Sequence, residues 1–237
     1  MIGGLAMLAG AAGAVLALGA AEAPVGTADR ASIEKIVREY ILSHPEILPE
    51  AMKNLEAREA KSTIDANRKA IETPFAGAWE GAADGDVTLV QFFDYSCGYC
   101  RASRADVDRL LAEDKKLRVV YREIPILGPE SEAAARASLA VAEQGNYAAF
   151  HHAVYAAGKP NAGTIASAVA KAGADAAKVK ADARGEKVVG EINANLQLIR
   201  TLQISGTPAW VIGDQLLNGA VGYDALKKAV AEARARG

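Results

Sequence analysis

The chain contains two cysteines, and they lie three positions apart in the sequence CGYC at residues 97–100. A pair at this spacing can exchange disulfides, supply half of a zinc site or form a structural bridge. His44, His151 and His152 lie at no spacing that completes a zinc site. A structural bridge would close a loop too short to constrain the unfolded chain much. The pattern therefore favours redox chemistry with no bound metal and no diffusible cofactor, because the dithiol itself is the reagent.

The predicted elements around the two cysteines indicate which step of disulfide exchange each cysteine performs. Residues 87–93, VTLVQFF, form a short β-prone apolar run that predicts a buried strand, and a helical pattern follows from Ala102. Cys97 therefore lies at a helix N-terminus, where free N–H groups and the helix dipole favour a thiolate. We expect Cys97 to be the nucleophile. Cys100 lies one helical turn further on, and we expect it to be more buried and to resolve the mixed disulfide.

Three neighbouring residues could take part in the same chemistry. Gly98 and Tyr99 lie between the cysteines, so they set the exposure and hydrogen bonding of the sulfurs and should tune the redox potential. Asp94 either relays a proton or caps the turn before Cys97, and the sequence favours the cap.

The chain around this motif predicts an α/β domain over residues 76–237. A second strand at 117–126 completes a parallel strand-helix-strand unit, and a hairpin is predicted at 209–218 before a terminal helix. Residues 130–203 are helix-prone without a convincing strand, which predicts a helical insertion. His151 and His152 are adjacent on one of these helices and should face different sides, one to the core and one to solvent. The nearby aromatic residues are expected to pack in the core; they are Tyr147, Phe150 and Tyr155.

The N-terminal third of the chain predicts two further segments. Residues 1–23 are apolar and end in small residues, as in a secretory signal peptide, with an uncleaved anchor as the alternative. Residues 24–75 predict a helical stalk with apolar stripes over 33–55, interrupted at Pro45. Those stripes need a partner, either the catalytic domain or a second copy of the chain. Residues 56–72 are almost entirely polar and predict a solvated connector.

The length and charge of the chain limit the number of domains and the kinds of partner that we expect. The chain has 237 residues, of which 51% are hydrophobic, and a formal net charge of −2. This is enough for one ordinary domain and an additional module. The chain lacks the excess of basic residues that would indicate a nucleic-acid partner.

Two motifs in order resemble the thioredoxin superfamily: CGYC after a strand, and Ser205-Gly206-Thr207-Pro208 before the last hairpin. The helical insertion makes the chain similar to DsbA-like thiol-disulfide oxidoreductases. The sequences FFDYSCGYC, SGTPAW and IVREYILSHPEILPEAM resemble the suppressor-of-copper-sensitivity (ScsC-like) branch. The resemblance implies a thioredoxin-like fold with Cys97 as nucleophile and Cys100 as resolving cysteine.

The resemblance also implies roles for Thr207 and Pro208. Pro208 would be the cis-proline of the family, and the backbone of Thr207 would lie beside Cys97. An unfolded substrate could pair with that backbone as an added strand. The alternative is an ordinary trans proline ahead of a strand.

The expected function is that of a periplasmic disulfide isomerase or reductase acting on secreted proteins with wrong or missing disulfides. A membrane redox partner would reset the dithiol, and the N-terminal helices would form a homo-oligomer. A monomeric DsbA-like dithiol oxidase is the alternative within this class. A chaperone or a copper(I)-binding protein is the alternative from another class, since thiolates are soft ligands.

Overall fold

The computed structural model of the protein describes residues 27–236, so the predicted signal segment lies outside the described residues. The described helices are α1 (Thr27–Ser43), α2 (Ile47–Glu72), α3 (Gly98–Ala102), α4 (Arg104–Glu113), α5 (Pro129–Ala142), α6 (Tyr147–Ala157), α7 (Ala162–Lys171), α8 (Ala176–Asp182), α9 (Glu186–Thr201) and α10 (Tyr223–Arg236). The described strands are β1 (Trp79–Gly81), β2 (Val87–Phe93), β3 (Leu117–Glu123), β4 (Ala209–Ile212) and β5 (Gln215–Asn218). None of the helices within 27–236 has the length and apolar character needed to cross a membrane.

The strands form one mixed sheet in the order β1-β3-β2-β4-β5. β2 and β3 are parallel, with Val87 opposite Leu117, and the other neighbouring pairs are antiparallel. The parallel pair and the terminal hairpin were predicted, whereas the three-residue edge strand β1 was missed. A strand of that length carries too few residues for a recognisable alternation of polar and apolar side chains.

Side chains of the central strands alternate between two cores, as the period of two requires. Leu89 and Phe93 of β2 point into the larger core together with both cysteines. Val90 and Phe92 point to the opposite face and pack with residues of α2 and α9. The cysteines therefore lie on the same face of the sheet as α5 to α8, whereas α9 contributes residues to both cores.

The insertion consists of α5 to α9, and no strand interrupts residues 129–201. This confirms the predicted α/β fold with a helical insertion. Tyr147, Phe150 and Tyr155 are buried in the larger core, as expected. His151 is buried whereas His152 is half-exposed and bonds Glu80, so the adjacent histidines do face different surroundings.

The second half of α2 is packed against the sheet, and the expectation of a connector solvated on all sides is wrong there. Ile64 and Ile71 are fully buried in the core on the second face of the sheet. Arg68 donates to the backbone oxygen of Gly213 and to Asp214, both in the β4–β5 turn. Two isolated apolar residues, seven positions apart, were enough to bury one narrow side of a helix whose remaining surface is charged.

Gly213 makes the two-residue β4–β5 turn possible. Its φ is +57°, a left-handed backbone conformation that residues with a Cβ atom rarely adopt. A Cβ atom there would lie 2.9 Å from the Cβ of Ala233 on α10. Glycine is therefore required both by the backbone and by the close approach of the terminal helix.

The described chain divides into two compact units, the first ending at Ala51 and the second beginning at Met52. In the first unit, α1 ends at Ser43, two residues before Pro45, as predicted. Much of its apolar side-chain surface is exposed, and Leu42 is the most exposed of these residues at 70%.

Candidate active site

Cys97 caps the N-terminus of α3 with its own sulfur. The residue is extended, with φ −74° and ψ 118°, and its Sγ accepts the backbone N–H of Cys100 at 3.3 Å. The Cys97 thiol donates to the carbonyl oxygen of Thr207, also at 3.3 Å. The sulfur is thus held between a helix N-terminus and the loop that precedes β4.

Cys100 lies deeper than Cys97, as predicted. It is fully buried, whereas 6% of Cys97 is exposed, and both are free thiols. Burial raises the pKa of the Cys100 thiol well above its ordinary value. Cys100 is therefore protonated at neutral pH and must lose a proton when it reacts.

The loop opposite the cysteines contains the predicted Thr207-Pro208 pair, and their peptide bond is cis. The Pro208 carbonyl accepts the N–H of Gly219, and the indole of Trp210 donates to the carbonyl of Gly219. These bonds fix the loop to the end of the β4–β5 hairpin. Thr207 is brought next to Cys97 from 110 residues away, and Pro208 follows it in the same loop.

Asp94 is a structural cap, in agreement with the favoured interpretation. Oδ1 accepts from the Ser96 N–H and the Ser131 hydroxyl, and Oδ2 accepts from the backbone N–H groups of Ile126 and Leu127. All of these bonds are between 2.7 and 3.0 Å long. Both carboxylate oxygens of Asp94 thus accept hydrogen bonds, and these bonds join the turn before Cys97 to the loop after β3.

Gly98 and Tyr99 lie in the first turn of α3. The Tyr99 side chain is 72% exposed, which places an aromatic ring on the surface between the two cysteines. A Cβ atom on Gly98 would meet no neighbour within 4 Å, so space does not require glycine there. Both remain predicted redox-tuning residues.

A chain of buried hydrogen bonds lies on the same face of the sheet as the cysteines and was missed by the sequence analysis. Glu123 Oε1 accepts from the hydroxyls of Ser138 and Tyr147, each at 2.9 Å. Ser138 Oγ lies 2.8 Å from Tyr95 Oη, which lies 3.0 Å from His151 Nδ1. We call these five residues the Glu123 network. Glu123 ends a strand with an apolar pattern, so nothing in the local sequence distinguished it from a solvent-exposed acid.

Burial changes the ionisation of this network. It raises the pKa of the Glu123 carboxyl to about 7 and holds the pKa of His151 well below its usual value. It also raises the pKa values of Tyr95 and Tyr147 well above the ordinary range. At neutral pH the tyrosines and the histidine are therefore neutral, and the Glu123 carboxyl holds its proton to a higher pH than an ordinary glutamate does.

No group of three or more His, Cys, Asp or Glu residues within 27–236 is arranged to hold a metal ion.

A strand followed by CGYC, a cis-proline loop facing the first sulfur and a buried second thiol define a thioredoxin-like thiol-disulfide oxidoreductase. Residues 88–231 match the model of the DSBA-like thioredoxin domain, and the chain belongs to this family. Residues 29–61 match the copper resistance protein ScsC N-terminal domain.

Three solved structures illustrate the similarity. A thioredoxin-like oxidoreductase from Silicibacter pomeroyi is 40% identical, covering 71% of this chain and 98% of that one, with a TM-score of 0.68. The thiol-disulfide exchange protein alpha-DsbA2 from Wolbachia pipientis is 31% identical, over 74% and 96%, with a TM-score of 0.69. A linker-deletion mutant of Proteus mirabilis ScsC is 27% identical, over 92% and 100%, with a TM-score of 0.71.

Two curated relatives are much longer than this chain. They are the Na(+)/H(+) antiporters NhaA 3 of Salinispora tropica and NhaA 1 of Salinispora arenicola, at 25% and 27% identity. Each match covers 75% of this chain but 28% of the antiporter. The chain therefore spans little more than a quarter of the length of these relatives.

Proposed function

We propose that the chain is a periplasmic protein disulfide isomerase or reductase that uses Cys97 and Cys100 on secreted proteins. Cys97 attacks a substrate disulfide, and Cys100 either resolves the mixed disulfide or waits while the substrate exchanges its own bonds. The Thr207 backbone, next to the Cys97 sulfur, is where an extended substrate segment would pair. A membrane redox protein would return the dithiol to its working state.

The apolar surface of the N-terminal helices is the observation that favours an isomerase. Eight large apolar residues there are each at least half exposed: Ile33, Ile36, Val37, Tyr40, Leu42, Leu48, Met52 and Leu55. A surface of this kind is unusual for a monomeric soluble protein and indicates an interface. We propose that the apolar stripes of residues 33–55 self-associate, which would gather several active sites around one misfolded substrate and hold it through avidity.

A periplasmic location follows from the same proposal. The uncharged apolar segment that begins the chain has the character of a secretory signal. A dithiol that exchanges disulfides with client proteins belongs in an oxidising compartment.

The proposed function is tested by the native mass of two proteins, the chain from residue 24 onward and its Leu42→Glu variant. Both masses are measured by sedimentation. We expect an oligomer that Leu42→Glu converts to a monomer, because the introduced charge cannot be buried in an apolar interface. The monomer should lose most of its ability to refold scrambled test proteins but retain dithiol reductase activity. Lys35→Ala, an exposed change on the same helix, should leave the oligomer intact. A monomeric parent protein would instead favour the dithiol oxidase.

A further inference from the structure

Arg101 is a partly buried guanidinium group that no carboxylate neutralises. Its two hydrogen-bond acceptors are backbone carbonyls, because Nη2 donates to Gly158 at 2.7 Å and to Tyr95 at 3.5 Å. Nε is buried without a partner, and Nη1 makes no bond within residues 27–236 but reaches solvent. A charge that is shielded from water is normally paired. Arg101 therefore presents a positive charge and free N–H donors that an anion could take up.

Most of the other arginines that are not exposed have an acidic partner. The paired ones are Arg68, Arg104, Arg122 and Arg136. Arg118 donates to the hydroxyl of Thr88 instead, near the start of β2, whereas CGYC follows the end of that strand. Within the described part of the chain, Arg101 is thus the partly buried arginine that lies in the active-site helix without a carboxylate.

The guanidinium group is held at the active site by bonds to two segments. The backbone N–H of Arg101 donates to the carbonyl of Cys97 at 3.1 Å, so Arg101 lies one helical turn after that cysteine. The bond to Tyr95 brings the side chain back to the turn that leads to Cys97. The bond to Gly158 attaches it to the residue that ends α6. The positive charge is therefore fixed in the surroundings of the reactive turn.

A second cation without an acidic partner lies beside the first. Lys159 directly follows Gly158, its side chain is exposed, and its hydrogen bond within the described residues is made by its backbone carbonyl, which accepts from Thr164. Asp94 is the nearest acid along the chain, but its oxygens accept four bonds from other groups and none from Arg101. Two unpaired positive charges therefore lie on segments that meet at the Arg101–Gly158 bond.

We propose that Arg101, assisted by Lys159, is a specificity-determining residue that binds a carboxylate next to the disulfide that Cys97 attacks. A guanidinium group offers parallel N–H donors that match the geometry of a carboxylate, and such charge-assisted bonds are stronger than neutral ones. The favoured substrates are disulfides with acidic neighbours, in a client protein or in glutathione. The inference rests on the proposed attack by Cys97 and does not depend on isomerase activity or oligomerisation.

The test isolates the first chemical step in the full chain carrying Cys100→Ala. The Cys97 thiolate attacks one sulfur of a probe disulfide, and a bond from Cys97 to that sulfur forms. The S–S bond of the probe breaks, and its other half leaves as a thiolate with the electron pair. Three probes differ in charge: glutathione disulfide is anionic, hydroxyethyl disulfide is neutral and cystamine is cationic. Acid quenching and mass spectrometry give the rate of adduct formation with each probe.

Arg101→Met keeps an apolar stem and removes the charge. It should slow the reaction with glutathione disulfide about tenfold relative to hydroxyethyl disulfide, the value of one hydrogen bond to a charged group. It should not slow the reaction with cystamine. Arg101→Lys restores the charge and should recover part of the preference. Arg200→Met removes the same charge from an exposed position on α9 and should keep the parent's rate ratios.

Unchanged rate ratios in folded Arg101→Met would overturn the proposal. Slowing of all three probes by one factor would also overturn it, since that result means a distorted site. If Cys97 reacts with no probe faster than free cysteine does, the proposed function itself fails and this inference fails with it, a result distinct from unchanged ratios.

Two further measurements decide the matter if Arg101→Met does not fold. Raising the salt concentration from about 0.02 M to about 0.5 M should weaken the parent's preference for glutathione disulfide, because salt screens exposed charges. Lys159→Met, a change at an exposed residue, should weaken it about twofold. A preference that resists both changes overturns the proposal.

Peptide disulfides with Glu or Lys beside the cysteine identify the source of the carboxylate. Faster reaction of the Glu peptide, lost in Arg101→Met, assigns the site to acidic segments of client proteins. An Arg101-dependent preference confined to glutathione disulfide assigns the same site to free glutathione.

Discussion

The thiol of Cys97 donates a 3.3 Å hydrogen bond to the carbonyl oxygen of Thr207, which lies 110 residues further along the chain. The Cys97 sulfur also accepts a hydrogen bond from the backbone N–H of Cys100, which lies three residues further on. The Cys97 sulfur thus lies between its own helix and the loop that precedes β4. If Cys97 is the nucleophile and substrates pair with the Thr207 backbone, as proposed, both events occur at one place.

Cys97 should be alkylated before Cys100. Cys100 is fully buried and its thiol pKa is raised by that burial, so it presents little thiolate to a reagent. Limited iodoacetamide treatment of the reduced protein at mildly acidic pH, followed by peptide mass mapping, should place the first label on Cys97. First labelling of Cys100 would reverse the assignment of nucleophile and resolving cysteine.

Cys100→Ala should trap substrates as mixed disulfides. Without the second thiol, the intermediate on Cys97 has no intramolecular route to resolution. Non-reducing gels of the variant mixed with scrambled test proteins should show adducts that disappear on reduction. Cys97→Ala is the matched control and should show none. Equal adduct yields from both variants would contradict the proposed order of attack.

The stability of the protein should fall as pH rises from about 5 to about 7 because of Glu123. Burial raises the carboxyl pKa from 4.5 in the unfolded chain to about 7 in the fold. The folded state therefore binds more protons across this window, and the contribution is complete below about 4.5 and lost above about 7. A difference of this size corresponds to roughly 3 kcal/mol of unfolding free energy.

Urea unfolding of the parent protein and Glu123→Gln at about pH 5 and about pH 8 measures this effect. The amide does not titrate, so the variant should lose less stability between the two pH values than the parent does. Glu130→Gln, a change at an exposed carboxyl, should keep the parent's dependence. An identical pH dependence in the parent and Glu123→Gln would show that Glu123 does not titrate in this range.

Ile64→Ala should destabilise the catalytic domain. Ile64 is fully buried between α2 and the sheet, so truncation leaves a cavity and should cost about 2–5 kcal/mol. Lys69→Ala is an exposed change on the same helix and should alter stability by no more than about 0.5 kcal/mol. Comparable unfolding midpoints for Ile64→Ala and the parent would mean that the second half of α2 is dispensable for the fold.

The sequence by itself determined the elements whose signals are local. The apolar run before CGYC predicted β2, the absence of strand patterns over 130–203 predicted the helical insertion, and the sequence of residues 209–218 predicted the last hairpin. These three features depend on the period of a segment or on turn chemistry, which neighbouring residues fix. That CGYC and Thr207-Pro208 would meet at the active site was implied by the resemblance to the thioredoxin superfamily and not by a local pattern.

Tertiary structure decided the features that depend on which surfaces meet. Ile64 and Ile71 look isolated in a charged helix, and their burial follows from the presence of the second sheet face. Glu123 resembles any acid at the end of a strand until hydroxyls from α5 and α6 converge on one of its oxygens. Burial and hydrogen-bond satisfaction are properties of packed neighbours far apart in the chain, so a local pattern of residue types does not encode them.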